Sequence, residues 1–481
     1  MTYETVIGLE IHAHLLTQSK IFCGCSTAFG APPNSQTCPV CLGLPGALPV
    51  LNGQAVDYAI KAALALGCHV QSESIFARKN YFYPDLPKGY QISQYERPLA
   101  VSGEVTFTVG GTPSRVGITR VHMEEDAGKS LHDGFIDSDR HTYLDYNRSG
   151  VPLIEIVSEP DMRSAAEAAE FFTRLRAILV WLGVNDGNME EGSLRCDANV
   201  SVRPVGQMTL GTKAEVKNVN SFRYLQKALE YEIERQIEIV EGGGRVIQET
   251  RLWDSASGRT LSMRSKEEAH DYRYFPEPDL PPLVADADRI ARVRSTMPEM
   301  PDARRRRFVA EYGIPDYDAG VLTQSSGLAD YYERTVASAD NPKAASNWVM
   351  GEVLRTINDR GLTIAQVPLT PDRLAGLIKL VDGGVISSST GKDVFARMFD
   401  SAKTADEIVK SEGLAQIGDA SALLALVRDV MTANADAVGQ YRAGKQATFG
   451  FLVGQVMKAS RGKANPTLAN DVLKRELDGG A

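Results

Sequence analysis

Three carboxylates stand in a row at Glu124-Glu125-Asp126, after the alternating run Arg115 to Met123 and just before Ala127-Gly128-Lys129-Ser130. Adjacent negative charges repel one another and resist burial unless a hard cation or a cluster of donors compensates them. In isolation such a run is most simply a solvated acidic turn. Here it has counterparts. Val6 to His14 alternates, with Ile7, Leu9 and Ile11 on one face of a strand and Glu10, His12 and His14 on the other. A Glu and a His two apart project into the same space, and with Glu124 and Glu125 they could share a metal. Ser193 to Arg203 alternates as regularly, with Leu194, Cys196, Ala198, Val200 and Val202 inward and Ser193, Arg195, Asp197, Asn199, Ser201 and Arg203 outward. Glu190 and Glu191 precede that run, and Lys213, Glu215 and Lys217 fall on the next strand. Opposed charges on neighbouring strands make a surface suited to phosphate and metal.

Cysteine supplies a second chemistry. Cys23-Gly24-Cys25 is followed after twelve residues by Cys38-Pro39-Val40-Cys41. Two close pairs can converge as four thiolates around a tetrahedral zinc, and a closed Cys₄ site is structural because it keeps no open position. Gly24, Gly30, Pro32, Pro33 and Pro39 give the intervening loop the turns a small knuckle needs. The other two cysteines, Cys68 and Cys196, read as core.

These residues need elements to position them. Gln54 to Leu66 has helical periodicity and ends at Gly67, and Glu104 to Val109 and Arg115 to Met123 read as strands joined through Gly110-Gly111-Thr112-Pro113. Ser164-Ala165-Ala166-Glu167 is a capping box opening a helix whose buried stripe is Phe171, Leu175, Ile178 and Leu182. A further helix runs from Ser221 to Val240. Between Arg78 and Tyr90, Arg78, Lys79 and Lys88 alternate with Tyr81, Phe82, Tyr83 and Tyr90, a mixture that offers phosphate contacts beside aromatic stacking platforms. Six prolines between Pro276 and Pro301 mark a change of domain. Helical patterns follow to about Lys403, opening with the Arg304 to Arg307 run, which reads as a solvated helix face. A last helical unit closes the chain.

Length and charge set limits. A chain of 481 residues holds two to four domains, and a net charge of −9 argues against a uniformly basic nucleic-acid coat. Basic character is instead local: from Tyr441 to Ala481 seven Lys or Arg face three Asp or Glu, a net +4. Such asymmetry suits contact with an RNA backbone. No apolar run reaches the roughly 20 residues of a membrane span, and Met1-Thr2-Tyr3-Glu4 does not open a signal peptide; the expectation is a cytoplasmic protein with no membrane partner. No P-loop is present, because Met123 and Ile386 stand where Gly would have to precede Gly128-Lys129-Ser130 and Gly391-Lys392. No Gly-x-Ser-x-Gly elbow appears, and Ser387-Ser388-Ser389 lacks the Gly-rich surround of an amidase nucleophile. A zinc-knuckle RNA binder without catalysis would leave the clustered carboxylates unemployed. A free-standing small-molecule kinase or ligase would leave the basic tail unexplained.

Several long motifs resemble one family. Leu144-Asp145-Tyr146-Asn147-Arg148-Ser149-Gly150-Val151-Pro152-Leu153-Ile154-Glu155-Ile156-Val157-Ser158 is similar to the signature of the GatB/GatE family, the B subunits of aspartyl/glutamyl-tRNA amidotransferases. Gly8-Leu9-Glu10-Ile11-His12, Arg78 to Tyr90, Glu190-Glu191-Gly192-Ser193-Leu194-Arg195-Cys196-Asp197 and Glu215-Val216-Lys217-Asn218 extend the resemblance along the chain. It implies an α+β fold: a glutamine-synthetase-like catalytic cradle with antiparallel sheets over residues 1–295, an all-α helical domain over 296–405, and an all-α YqeY-type tail over 406–481. It implies ATP-dependent transamidation of Asp-tRNA(Asn), Glu-tRNA(Gln) or both. ATP phosphorylates the side-chain carboxylate and ammonia displaces the phosphate. Ammonia would come through a tunnel from a partner amidase, the glutaminase of a heterotrimer in which a small third protein braces the pair. A carboxylate is a poor acyl donor until its oxygen can leave, so such a site needs divalent metal and cationic phosphate contacts. On that basis Glu10, His12, Glu124, Glu125 and Glu190 are candidate magnesium ligands, and Lys79, Arg195 and Lys217 candidate ATP phosphate contacts. Glu10, His12, Lys79 and Glu125 are the candidate catalytic groups, with Lys88 as a tunnel gate. Tyr81, Tyr83, Lys458, Arg461 and Lys463 are candidate tRNA contacts, the last three in the tail-like stretch Gly454 to Pro466.

Overall fold

A computed structural model describes residues 2–134, 136–265, 272–416, 420–460 and 463–479. The chain divides into two compact units, Met1–Met300 and Pro301–Ala481. The first is built on a sheet whose strands are Tyr3–His14 (β1), His69–Val70 (β2), Ala100–Val109 (β5), Thr112–Glu125 (β6), Pro152–Ser158 (β7), Leu194–Pro204 (β8), Ala214–Lys217 (β9), Glu249–Asp254 (β10) and Arg259–Ser265 (β11). Their order across the sheet is β11-β10-β9-β8-β1-β7-β6-β5-β2. Two short strands, Ala77–Asn80 (β3) and Tyr90–Ser93 (β4), pair with each other, and Phe275–Pro276 adds to β3.

The sheet is not purely antiparallel. β9 and β10 run parallel, and between them lies the helix Phe222–Glu241 (α3), the long crossover that a parallel pair requires. Elsewhere sharp turns suffice. β5 and β6 form a hairpin around Gly110 and Gly111, with φ of 55° and 87°. Two successive left-handed residues are what a tight turn matching strand twist demands, and glycine adopts them without penalty.

One face of the sheet is apolar and covered by helices. Ile7, Leu9 and Ile11 of β1, Val121 and Met123 of β6, and Ala198 and Val200 of β8 join a core filled by Gly53–Ala65 (α1), Ala165–Trp181 (α2) and α3. Burying an Ile or Leu of that kind contributes roughly 1.5–3 kcal/mol before entropy is charged against it. Local chemistry sets the helix ends. The Asn52 side chain accepts from the Gln54 and Ala55 amides to start α1, and Ser221 accepts from Tyr224 to start α3. At α2, Ser164 accepts from Glu167 N–H at 3.1 Å, while the Glu167 carboxylate reaches back one residue further than a capping box requires, to the Arg163 amide at 2.7 Å.

The second unit is helical among its described residues. A single π turn, Val349–Val353, interrupts the path from Pro342–Trp348 into Leu354–Arg360. The arginine run lies in the helix Pro301–Tyr312 and is largely engaged internally: buried Arg304 pairs with Asp330 at 2.6 Å and with Glu333, Arg305 with Asp316, and Arg307 with Glu333 at 2.7 Å. Near the C-terminal end, Leu423, Val427, Leu452, Val456, Leu473 and Leu477 make a separate small core.

Candidate active site

Ladder register decides what the polar face presents. His12 lies opposite Arg195 on one side and Glu155 on the other, and Glu155 lies opposite His122. Arg195, His12, Glu155 and His122 thus form one row across β8, β1, β7 and β6. Glu124, two residues beyond His122, projects to the same side. His12 Nε2 is 3.3 Å from Glu155 Oε2, and His122 Nε2 is 3.2 Å from Glu124 Oε1 and 3.5 Å from Glu155 Oε2. One donor atom each from His12, Glu124 and Glu155 lie within 4.8 Å of one another. An imidazole with two carboxylates, at one point on a rigid sheet, is a donor set for a hard or borderline divalent cation.

The electrostatics are those of compressed opposite charges. Burial pushes the Glu155 carboxyl up, but His122 and His12 hold it well below the usual range. Burial likewise pushes His122 down, and the Glu155 charge with hydrogen bonds to Glu124 and Glu155 carries it up to about 9. His122 Nδ1 is buried without a hydrogen-bond partner among the described residues. From β3, Lys79 enters the same field. Burial lowers its ammonium and the charges of Glu124 and Glu155 raise it further than burial lowers it. It makes no ion pair among the described residues and lies 5.1 Å over the Tyr272 ring. On β4, Gln91 donates to Glu124 Oε2 at 3.0 Å and Ser93 to Glu124 Oε1 at 2.5 Å, so the small sheet fixes the carboxylate that the large sheet presents.

The remaining candidates are distributed around this centre. Glu10 accepts from Asn199 at 2.9 Å, and Lys217 pairs with Asp197 at 2.5 Å and lies 3.8 Å from Glu215. Glu10 and Asn199 border a hollow of about 220 Å³ that also reaches Gly8, Ser158 and Lys213. Arg195 is bound to Asp126 at 2.9 Å, and Asp126 also takes His14 at 2.6 Å. Glu125 faces away from Glu124: its carboxylate accepts from Lys88 and from the Ile92 amide at 2.9 Å, and it lines a cavity of about 100 Å³ shared with Lys20, Cys23 and Cys41. Glu190 is exposed on the turn before β8. Tyr81 donates to Gln91 at 3.1 Å and packs edge-on against Tyr83, which is exposed. Lys458 is exposed at the end of the helix Thr448–Ala459, Lys463 donates to the Gly413 carbonyl at 2.7 Å, and Arg461 lies outside the described residues.

The four cysteines converge. Single Sγ atoms of Cys23, Cys25, Cys38 and Cys41 lie within 4.8 Å of one another. Cys38 and Cys41 sulfurs are 3.9 Å apart, close to the roughly 3.8 Å edge of a tetrahedron with Zn–S bonds near 2.3 Å. Lys20, wholly buried, donates to Cys41 Sγ at 3.5 Å and to the Tyr146 carbonyl at 3.3 Å, tying the knuckle to the loop before β7.

Comparison with known proteins settles the family. A sequence model described as the GatB/GatE catalytic domain matches residues 5–291, more than half of the chain, and one described as a GatB domain matches residues 330–477. The chain belongs to the GatB/GatE family. Among its relatives, the B subunit of the aspartyl/glutamyl-tRNA(Asn/Gln) amidotransferase of Carboxydothermus hydrogenoformans is 58% identical over 475 residues, 99% of each chain. That of Geotalea uraniireducens is 56% identical over 479 residues, the full length of both. The GatB/GatE match takes in the whole row and the cysteine knuckle.

Two residues of the site, Glu155 and His122, were not singled out from the sequence. Glu155 stands inside a run whose neighbours Leu153, Ile154 and Ile156 are all buried. A carboxylate embedded in such a run is itself a signal, because it must have a compensating partner.

Proposed function

We propose that this chain is the transamidating subunit of a tRNA-dependent amidotransferase, acting on Asp-tRNA(Asn), Glu-tRNA(Gln) or both. The γ-phosphoryl of ATP passes to the side-chain carboxylate of the misacylated amino acid, giving ADP and an acyl phosphate. Ammonia then displaces phosphate and leaves the amide. The observation that carries this reading is the row itself: His12, Glu155 and Glu124 meet at one point, with the Lys79 ammonium in their field and free of an ion pair among the described residues. His12, Glu124 and Glu155 fit magnesium. When bound, that ion supplies charge neutralisation and in-line alignment for phosphoryl transfer.

The chain's own groups do the rest. Lys79 is placed to meet a transferring phosphoryl group, and Gln91 and Ser93 keep Glu124 from turning away. Arg195, at the end of the row and anchored through Asp126, and Lys217, held by Asp197 beside it, serve as further phosphate contacts. Glu10 orients the border of its hollow through Asn199. Lys88 and Glu125, on the other side of β6, close a small cavity walled by the cysteine knuckle, which suits the gate of an ammonia path from a partner amidase, the pair being braced by a small third protein. The cysteine sulfurs fit a structural zinc that stiffens this wall. The cradle as a glutamine-synthetase-like domain over 1–295, the division of the helical part into 296–405 and 406–481, and tRNA contact by Tyr81, Tyr83, Lys458, Arg461 and Lys463 belong to the same reading. No helix among the described residues is long and apolar enough to cross a membrane.

The deciding experiment is magnesium-dependent ATP hydrolysis by the assembled complex. Hydrolysis stimulated by misacylated tRNA, and not by correctly charged tRNA, is expected. Hydrolysis indifferent to the tRNA would refute the proposal. Metal analysis should also find one zinc per chain, lost with Cys41→Ser; zinc-free protein of full stability would refute the structural site.

A further inference from the structure

Between Cys25 and Cys38 the chain makes a turn whose polar groups are spent on a loop far along the sequence, the one just before β7. Asn34 donates its main-chain amide to Asp145 Oδ1 at 2.9 Å and its side-chain amide to the Leu144 carbonyl at 2.9 Å, and its Oδ1 accepts from the Tyr146 amide at 2.8 Å. Asn147 returns the contact: its Oδ1 accepts from the Gln36 amide at 2.8 Å and its Nδ2 donates to the Pro32 carbonyl at 2.7 Å. Each asparagine thus uses both ends of its side-chain amide on the other's main chain, and together they make a clasp. Asn34 holds the left-handed conformation, φ 58°, which asparagine tolerates better than most residues with a side chain. Beside the clasp, Ser149 donates to the Cys41 carbonyl at 3.2 Å. The other side of the same loop grips the acidic turn after β6. Arg148 donates to the Ala127 carbonyl at 3.0 Å and to that of Gly128 at 2.6 Å, the Gly150 amide donates to the Asp126 carbonyl at 2.9 Å, and the Asp126 amide to the Val151 carbonyl at 2.8 Å. Asp126 in turn carries Arg195 of the row at 2.9 Å and stands two residues from Glu124. The loop therefore lies between the cysteine knuckle and the row, bonded to both.

We infer that Asn34 and Asn147 are positioning residues for the reaction, and that through their clasp the closed cysteine knuckle sets where Arg195 and Glu124 stand. The inference rests on the function proposed above and gives the knuckle a part in alignment besides its part in stability. Asn34 is exposed, so water replaces its hydrogen bonds when they are lost and the folded state loses little. Alignment has no such tolerance. Water satisfies a freed amide without holding it in place, and a displacement of about 1 Å arising far from the chemistry costs roughly 10² in rate. The clasp is not the loop's sole anchor, because Tyr143–Asp145 also pairs with Lys129–Leu131. Opening it should therefore cost less than that, roughly tenfold. Dependence on the thiolates follows from the sequence. Cys25 and Cys38 bracket the Asn34 turn, so gathering the four sulfurs fixes both of its ends, and releasing them frees it.

The test uses the complete complex. Asn34→Gly keeps the left-handed backbone and the main-chain bond to Asp145 while removing both side-chain bonds; Asn147→Ala removes the reciprocal pair. Each variant should hold as much zinc as wild type and melt close to it. The kcat for tRNA-stimulated ATP hydrolysis should fall roughly tenfold, with KM for ATP and for tRNA unchanged, and main-chain hydrogen exchange over residues 126–128 and 144–151 should quicken. Both asparagines close one clasp, so the double variant should be no slower than the slower single. Stripping the zinc from wild type with a chelator should quicken exchange over the same two segments, whereas Asn34→Gly, already open, should gain little on stripping. Wild-type kcat in both zinc-loaded singles, effects that multiply in the double variant, a rate loss matched by loss of zinc, or exchange in wild type that ignores the chelator would each overturn the inference. A wild-type complex whose ATP hydrolysis is indifferent to misacylated tRNA would refute the function itself; a responsive wild type with unmoved variants would refute only the clasp.

Discussion

Arg78→Met tests how the small sheet is held against the site. Arg78 sits beside Lys79 on β3, and its guanidinium binds Glu277 through Nε at 2.7 Å and a terminal nitrogen at 2.8 Å. It also reaches Asp279 at 3.2 Å and lies 4.1 Å over the Tyr90 ring. Glu277 has no exposed side-chain surface. Without the arginine, the donor left to its carboxylate among the described residues is the Asp279 amide at 3.0 Å. Removing one partner of a buried ion pair costs about 3–5 kcal/mol because a charge is left uncompensated. Arg78 is itself partly exposed, so the lower end, about 3 kcal/mol, is expected, or about 6 °C in Tm for a unit of this size. Positioning of Lys79 should suffer with it, lowering the rate of tRNA-stimulated ATP hydrolysis by roughly tenfold, the equivalent of about 1.4 kcal/mol. Thermal denaturation and steady-state kinetics on Arg78→Met, Glu277→Leu and the double variant read both effects. In the double variant no buried charge is stranded, so much of the stability should return. A loss under about 1 kcal/mol in Arg78→Met, or a double variant as unstable as the sum of the singles, would refute the strut.

Other outcomes follow from the row and its surroundings. Glu155→Gln and His12→Ala should each cut tRNA-dependent ATP hydrolysis by at least about 10²-fold with the far-UV spectrum unchanged; near wild-type turnover in both would remove the metal assignment. Asp126 is pushed up by burial, but Arg195, Arg148 and His14 hold it well below the usual carboxylate range. Its stabilising contribution is therefore present above the unfolded pKa and lost as pH falls toward the folded value, so the Tm gap between wild type and Asp126→Asn should be constant near neutrality and narrow only below about pH 4. A gap that widened on acidification would contradict that sign. In the C-terminal region, Lys458→Ala should flatten the salt dependence of tRNA binding by roughly 0.7–0.9 in log–log slope if it contacts one phosphate; an unchanged slope would remove Lys458 from the RNA surface.

Much of the fold could be read in advance where one face of an element is apolar and the other polar. β1 and β8 announced themselves in this way, and α2 and α3 carried their capping residues in plain view. β7 was different: all but one of its residues are buried, so alternation was absent and Glu155 gave no periodic signal. Period 2 also separates Glu124 from Glu125, sending one to the row and the other to Lys88, a consequence that adjacency in the sequence conceals. The parallel β9–β10 pair is fixed by how α3 packs, which local pattern does not encode. Arg78–Glu277 and Arg304–Glu333 join residues remote in sequence, and nothing in the arginines' own neighbourhoods distinguished them from solvated cations.

The row across β8, β1, β7 and β6 has a bearing on how faulty copies of the protein are removed. The same four strands bury apolar residues on their other face, and a slip of one residue would exchange the two faces. Ile11 would replace His12 in the row while His12 entered the hydrophobic interior. A one-residue error in pairing therefore cannot yield a well-packed but inactive sheet. They yield an open one, with charged groups inside and apolar groups outside, and such chains are what chaperones retain and proteases cleave. For an enzyme that feeds the ribosome, the architecture ties this accuracy of assembly to survival of the molecule, so that copies slipped by one residue do not persist.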